Sequence, residues 1–576
     1  LNRSGPAPDI GTSRDLIANS ALYVKPYRTY KNVCCHEKDI FVCFNKFQYV
    51  NKNTPRRSLI LICREQIQSR SVRPNWEKEK EMKHTRKWIY TSAAVLLSAA
   101  TAFMAGCSGG SDASSTPVTP PPALGVPATS AKNIKHVFVI MLENHGYADT
   151  FGTSTQDPYL QKTLVPQGAL LTQYYGTGHV SLDNYISLMS GQAPTQDTVN
   201  DCVVGGLNAL FNLAGAKQQY LDVNQTGTTS DGQVIANGGC VYPAAVKTLP
   251  DQLAAAGLTW KGYMEDMGND PAREPAGSCG HPTSAPVGST TVVYDPSTSE
   301  ESPSAAVPYG DAYATRHNPF AYFHSLDASC NVVALPTYIP TASTTPAVAA
   351  TTPASNSQLA SDLSSYGTTP NLVFITPNLC NDGHDGSGTG AAGTLCGNGQ
   401  PGGLKSADAF LKYWVPIIQA SPAYQKDGMI VITFDEGESA PATHTSNSAG
   451  QITSLTINYP GAICCNQQPG PNLSGSRPDS ITSTLPAAYA SYFGIPSAAV
   501  PSTGFELTFS MSNYGGDNVG AVILSPFVKA GSTSATPYNH YSMLRSLEQI
   551  LGASSYLGYA GDTSLSRIGD DNVIFN

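Results

Sequence analysis

Four short segments constrain the fold most. Residues 136–142 (HVFVIML), 372–376 (LVFIT), 429–434 (MIVITF) and 520–524 (GAVIL) are continuous apolar runs rich in β-branched side chains. A strand with one wet face alternates polar and apolar residues, whereas a strand that is apolar throughout has both faces covered. Runs of this length suit central strands of a parallel sheet. Helical stripes lie between them. Met543, Leu544, Leu547, Ile550 and Leu551 form one, closed by Gly552, and residues 248–257 (TLPDQLAAAG) form another. The expected fold class is α/β, a three-layer α/β/α arrangement with a mostly parallel central sheet and loop insertions. Residues 282–309 and 335–357, rich in Pro, Thr, Ser and Ala, and the Gly-rich residues 386–403 are expected to be surface loops. No internal repeat is present.

The chemistry follows three of those strands. The first runs into Glu143-Asn144-His145. The second is followed by Asn381-Asp382-Gly383-His384, and the third runs into Asp435-Glu436. Ligands of open α/β sheets bind beyond the carboxyl ends of the strands, so these side chains should converge there. Oxygen and imidazole donors suit divalent cations. Each motif alone is weak, because an acidic pair after a strand is often only a helix cap or a solvated turn. The segment Gly178-His179-Val180-Ser181-Leu182-Asp183-Asn184-Tyr185 adds a hydroxyl at the start of a helix expected to run through Ser190 and stop at Gly191. Ser181 there is either an N-cap or a nucleophile favoured by the helix dipole and activated by an adjacent metal. No Gly-x-Ser-x-Gly elbow surrounds it, so metal activation is the better nucleophilic reading.

Taken together, Glu143-Asn144-His145-Gly146-Tyr147, the Gly-His-x-Ser-x-x-Asn-Tyr segment, the Asn-Asp-Gly-His of 381–384 and Phe434-Asp435-Glu436 resemble the bacterial phosphoesterase family. So do Leu524-Ser525-Pro526-Phe527-Val528 and the stretch from His540 to Glu548. The family includes acid phosphatases and phospholipases C and belongs to the alkaline-phosphatase-like superfamily. The resemblance implies that Glu143, Asn144, Asp435 and Glu436 bind a divalent metal ion, whether Ca, Mg, Mn or Zn. It implies that Ser181 becomes phosphorylated and that His179, Asn184 and His384 surround the phosphate. Asp382 would help bind the metal or orient His384, and His540 would complete the site. Glu-Asn-His-Gly-Tyr-Ala at the first motif is nearer the acid-phosphatase branch than the Glu-Asn-Arg-Ser-Phe-Asp of phospholipase C members, although Gly146 replaces a usual serine. The implied activity is hydrolysis of phosphate monoesters through a phosphoserine. The alternatives are a phospholipase C or other phosphodiesterase, a binding lipoprotein without catalysis, and a structural surface protein.

Charge and the amino-terminal region bound location and partners. Residues 107–576 carry 15 Lys+Arg against 34 Asp+Glu, which makes this portion a poor nucleic-acid binder. No methionine precedes Met82, and Glu77-Lys78-Glu79-Lys80-Glu81 is encoded by purine-only codons, like a ribosome-binding site. Residues 1–81, which show no sustained helical or strand period, are therefore expected to be translated upstream sequence rather than native protein. Residues 82–106 have the form of a signal peptide: Lys83, Arg86 and Lys87, then an apolar run from 93 to 104 too short for a membrane span. Met104-Ala105-Gly106-Cys107 resembles a lipobox, so Cys107 is expected to carry a lipid anchor. Residues 107–132 would tether it to a catalytic domain spanning 133–576. The expected location is the periplasm, or the outer membrane or cell surface as a lipoprotein. Eight cysteines follow Cys107, an even number that suits disulfides in an exported chain. Cys380 and Cys396 are expected to pair, and the adjacent Cys464 and Cys465 to pair with different partners.

Overall fold

A computed structural model describes residues 33–37, 40–44 and 131–576, apart from 153–155, 203–217, 276–279, 281–293, 296–299, 330, 345–346, 353–355, 387–395, 438–439, 474–479 and 494. The signal peptide, Cys107 and most of the tether lie outside the described residues, as do Cys279 and Cys330. The chain divides into two compact units, Leu1–Ser115 and Thr116–Asn576. In the first, Val33–Glu37 and Ile40–Phe44 pair as an antiparallel hairpin. Sequence patterning did not expect it. No helix among the described residues is long and apolar enough to cross a membrane.

The second unit is built on an eight-stranded sheet. Its strands in chain order are β1 (His136–Leu142), β2 (Ala169–Leu171), β3 (Trp260–Glu265), β4 (Val332–Leu335), β5 (Leu372–Thr376) and β6 (Gly428–Phe434). After an inserted segment come β11 (Ala521–Leu524) and β12 (Ser532–Ser534). The spatial order is β4-β3-β5-β1-β6-β11-β2-β12. Strands β4, β3, β5, β1 and β6 are mutually parallel. Every residue of β1, β5 and β6 is buried, so both faces are covered. One group of helices packs around α1 (Ser181–Ser190), α2 (Leu249–Ala255) and α5 (His540–Ile550). Another gathers around α3 (Gly403–Ala420) and α4 (Pro422–Asp427). This is the three-layer, mostly parallel architecture expected.

Three details differ. Strand β11 runs antiparallel to β6, not parallel. A run apolar on both faces reveals burial but not direction. Residues 169–175 form two strands rather than one, β2 and a short pair at Tyr174–Tyr175, which bonds to Tyr538–Asn539. Between β6 and β11 the chain inserts a four-stranded sheet: β7 (Ala440–Ser446), β8 (Ile452–Tyr459), β9 (Ser480–Leu485) and β10 (Phe505–Met511), in the order β7-β8-β10-β9. It has its own small core around Leu455, Leu485, Phe505 and Leu507.

Candidate active site

The acid pairs meet because of strand register. Leu142 pairs with Phe434 across the parallel β1–β6 ladder, and the ladder continues one step as the Asp435 N–H donates to the Leu142 carbonyl at 2.9 Å. Glu143 and Asp435 therefore leave the sheet at one level. Asn144, at φ 49, turns back so that its N–H donates to Asp435 Oδ1 (2.9 Å) and its side-chain amide to Glu436 Oε1 (2.7 Å). A third strand adds Asp382, whose carbonyl accepts from the Glu143 N–H at 2.9 Å.

Ser181 is the first residue of α1, and the N-cap is Val180. Its hydroxyl is therefore not spent on the helix end. It donates to Glu143 Oε2 at 2.8 Å, while the Tyr185 hydroxyl, one turn on, donates to Oε1. The chain reaches this point through glycines that permit close backbone approach. A Cβ on Gly176 would lie 2.6 Å from the Asp435 carbonyl oxygen, and one on Gly178 would lie 2.1 Å from the Asp183 carboxylate.

Asn184 has a different occupation from the phosphate contact implied earlier. Its Oδ1 accepts from the N–H groups of Thr177 and Gly178 (2.7 and 3.1 Å), and its amide donates to the Gly178 and Val180 carbonyls. It holds the loop that presents Ser181. His179 is likewise fully engaged. Nδ1 pairs with Glu436, Nε2 lies 3.0 Å from Asp517 Oδ2, and the ring rests against Tyr459 of the inserted sheet. His540 sits behind the site, with Nε2 2.6 Å from the Asp435 carbonyl oxygen and Nδ1 2.9 Å from the Tyr174 hydroxyl. His384 is about half exposed at the rim, with its N–H donating to Asp382 Oδ1 at 2.9 Å.

Sequence reasoning missed His317, which lies in a helical turn between two low-complexity loops and belongs to no motif. It is buried and stacks on Tyr185, with Nε2 3.4 Å from Glu143 Oε2 and Nδ1 3.8 Å from Asp382 Oδ2. Its neighbour Arg316 faces Asp201 at 3.5 Å, and Asp201 Oδ1 accepts from the Leu182 N–H at the start of α1. The adjacent basic residue types Arg316-His317 were the available signal.

The electrostatics are those of crowded acids without enough positive charge. Burial, then Asp435 and Asp382, pushes Glu143 well above the usual carboxylate range. Burial and then Asp385 does the same to Asp382, and burial raises Asp435. Glu436 is raised to about 7 by burial, held back by His179. For His179 burial works downward, but Glu436 and Asp517 outweigh it and carry the imidazole to about 10. Burial, then Arg316 and His384, lowers His317, which leaves it neutral. Among the described residues, no Lys or Arg forms an ion pair with Glu143, Asp382 or Asp435. The buried oxygens Asn144 Oδ1, Asp382 Oδ2 and Asp435 Oδ2 have no hydrogen-bond partner among the described residues. Such a set of hard, unfilled donors fits a divalent cation, which would supply the missing positive charge. Glu300, Cys380 and Cys396 also lie at ligand spacing, but the two sulfurs are joined as the expected disulfide and have no thiolate to give.

A model of the Phosphoesterase family matches residues 154–554, and the chain belongs to that family. The match begins after Glu143 and Asn144 and takes in Ser181, Asp382 and the Asp435-Glu436 pair. Phosphatidylinositol-3-phosphatase of Mycobacterium tuberculosis is 23% identical over 317 residues, 55% of this chain and 68% of its own length. A solved alkaline phosphatase superfamily protein from Vibrio parahaemolyticus is similar at 11% identity and a TM-score of 0.35, covering 77% of this chain and 71% of that one. Murine ectonucleotide pyrophosphatase/phosphodiesterase 5, an inactive form with AMP, is similar at 11% identity and a TM-score of 0.31, covering 73% and 96%. The protein is a phosphoric ester hydrolase.

Proposed function

We propose that the chain hydrolyses phosphate monoesters through a phosphoserine at Ser181, assisted by a divalent cation held by Asn144, Asp382 and Asp435 with Glu143 and Glu436 beside it. The observation that carries this reading is the Ser181 hydroxyl donating to Glu143 inside a buried, uncompensated carboxylate cluster. The cation would lower the hydroxyl's pKa and balance the charge of the substrate. Glu143 orients the Ser181 oxygen and accepts its proton as the oxygen attacks phosphorus. His317, close to both Glu143 and Asp382, is placed to meet a substrate oxygen or the departing group. Arg316 adds positive potential beside the start of α1, where backbone N–H groups favour an anion. Water then hydrolyses the phosphoserine and frees phosphate. The name of the mycobacterial relative, a phosphatase, supports a monoester over a diester substrate. We further propose that the protein is exported and anchored through a lipid on Cys107.

The test is a panel of phosphomonoesters and phosphodiesters, including phosphatidylcholine, with and without a chelator. Chelator-sensitive release of phosphate from monoesters is expected. Faster turnover of the diesters would assign the chain to the phospholipase C type instead, and no turnover of either would leave a binding protein.

A further inference from the structure

Cys464 and Cys465 are bonded to each other, not to separate partners as the sequence had been read. This pairing differs in kind from the other two. Cys202–Cys240 spans 38 residues and Cys380–Cys396 spans 16, so each removes substantial freedom from the unfolded chain. A bond between neighbours closes almost no loop, and its effect on the unfolded state is correspondingly small. What it holds is a local shape. Cys465 and Asn466 both sit in the left-handed region, at φ 62 and 57. Neither is glycine, and such a pair of residues persists only where something holds it.

The turn so held braces the catalytic loop from two sides. Just before it, the Gly461 and Ala462 N–H groups donate to the two oxygens of Asp517 at 3.1 and 2.6 Å, and Asp517 in turn holds His179. Just after it, the buried Gln467 amide donates to the Thr177 carbonyl at 2.6 Å, four residues before Ser181. The cysteines are half-buried, whereas Cys202, Cys240, Cys380 and Cys396 are all buried. A reduced state also has a place to go, since Cys464 Sγ lies 3.1 Å from the Tyr538 carbonyl oxygen, an acceptor for a thiol S–H.

We propose that Cys464–Cys465 is a thiol-exchange site that couples redox state to the placement of His179 and Ser181, with a small dithiol as the reacting partner. One thiolate of the dithiol attacks a cysteine sulfur, breaking the Cys464–Cys465 bond and forming a mixed disulfide. Its second thiolate then displaces that cysteine. The net transfer is two electrons and two protons to the protein, and the dithiol leaves as its own disulfide. The opened turn no longer fixes Gly461, Ala462 and Gln467, so Asp517 and Thr177 lose their donors. The effect on turnover rests on the hydrolase reading; the effect on the loop does not.

The experiment uses the full chain under graded dithiothreitol. Alkylation with mass mapping reads which cysteines open. Hydrogen–deuterium exchange reads residues 461–467, and turnover is followed on 4-nitrophenyl phosphate. Cys464 and Cys465 are expected to react first, exchange at 461–467 to rise, and turnover to fall several-fold and return on reoxidation. A Cys464→Ser, Cys465→Ser double variant should show the lower turnover without reductant and no further response. Opening of the buried pairs first, or opening of Cys464–Cys465 with unchanged exchange or unchanged turnover, overturns the proposal. In a chain that turns over no phosphate ester the hydrolase reading fails separately, and exchange at 461–467 still decides whether the turn is braced.

Discussion

The central sheet ends two regions in buried acids and treats them differently. At the end of β3, Glu265 accepts from the Tyr338 and Asn378 N–H groups and the Asn381 amide, while Asp266 accepts from Thr337, Asn378 and the Ala312 N–H. Neutral donors fill these carboxylates and tie the 312, 337 and 378 loops together. Beyond β1, β5 and β6 the acids face one another, and Asp382 Oδ2, Asp435 Oδ2 and Asn144 Oδ1 are left over. An acidic pair after a strand is thus no sign of function by itself. Several oxygens left without donors in one acidic cluster are the sign, because a buried acceptor costs free energy unless an ion, a ligand or ordered water fills it.

The largest effect expected from this contrast is at Ser181. Ser181→Ala should lower turnover by roughly 10⁴-fold or more, as loss of a catalytic nucleophile does, with an unchanged circular dichroism spectrum. Asp435→Asn comes next. It keeps an oxygen for the Asn144 N–H but loses a ligand charge, so kcat should drop by at least about a hundredfold. In wild type, a divalent cation at 100 times its Kd should stabilise the fold by about 2.7 kcal/mol. In Asp435→Asn that gain should vanish, and the metal-free variant should be no less stable than metal-free wild type. Calorimetric melts with and without cation would check both.

Asp266→Asn should do the reverse. An amide there would point N–H groups at existing donors and destabilise by about 3 kcal/mol, measurable by urea unfolding, while the folded fraction keeps its metal response. If Asp266→Asn instead abolished the metal response, the contrast between the two regions would be lost.

The smallest effect is a pH dependence. Burial first, offset in part by the Thr337 hydrogen bond and reinforced by the Asp311 charge, raises Asp266 to about 7. Its folded value exceeds its unfolded value, so its contribution to stability is complete below roughly pH 4. It is lost as pH rises through about 7. Urea midpoints for metal-free wild type should therefore fall across that window. A flat profile would mean the donors alone offset the buried charge.

How much of this was legible follows from burial. Strands β1, β5 and β6 showed themselves because both faces are covered, and α1 because Gly191, at φ 67, ends it where the glycine stands. The helical stretch over 248–257 and the stripe of α5 were equally visible. The inserted sheet was not, since β8 is mostly half-buried and rich in Thr and Ser, so its apolar residues form no continuous run. Within the site, the polar residues that announced themselves were those at strand ends and at the start of α1. His317, Arg316, Asp201 and Asp517 come from turns whose positions depend on tertiary packing, and local sequence carries no record of it. The division of labour among Asn184, His179 and His540 was hidden for the same reason. Residue type tells that a side chain can bond, and only the fold tells to what.

The account stands most directly on the Ser181 oxygen. The wild-type chain, mixed with a phosphomonoester and a divalent cation and quenched in acid within a turnover, should yield a phosphorylated peptide with the phosphate on Ser181. The same treatment of Ser181→Ala should yield none. An enzyme that turns over its substrate fully with no phosphate found at Ser181, and with Ser181→Ala equally active, would contradict the account and place the attack on water.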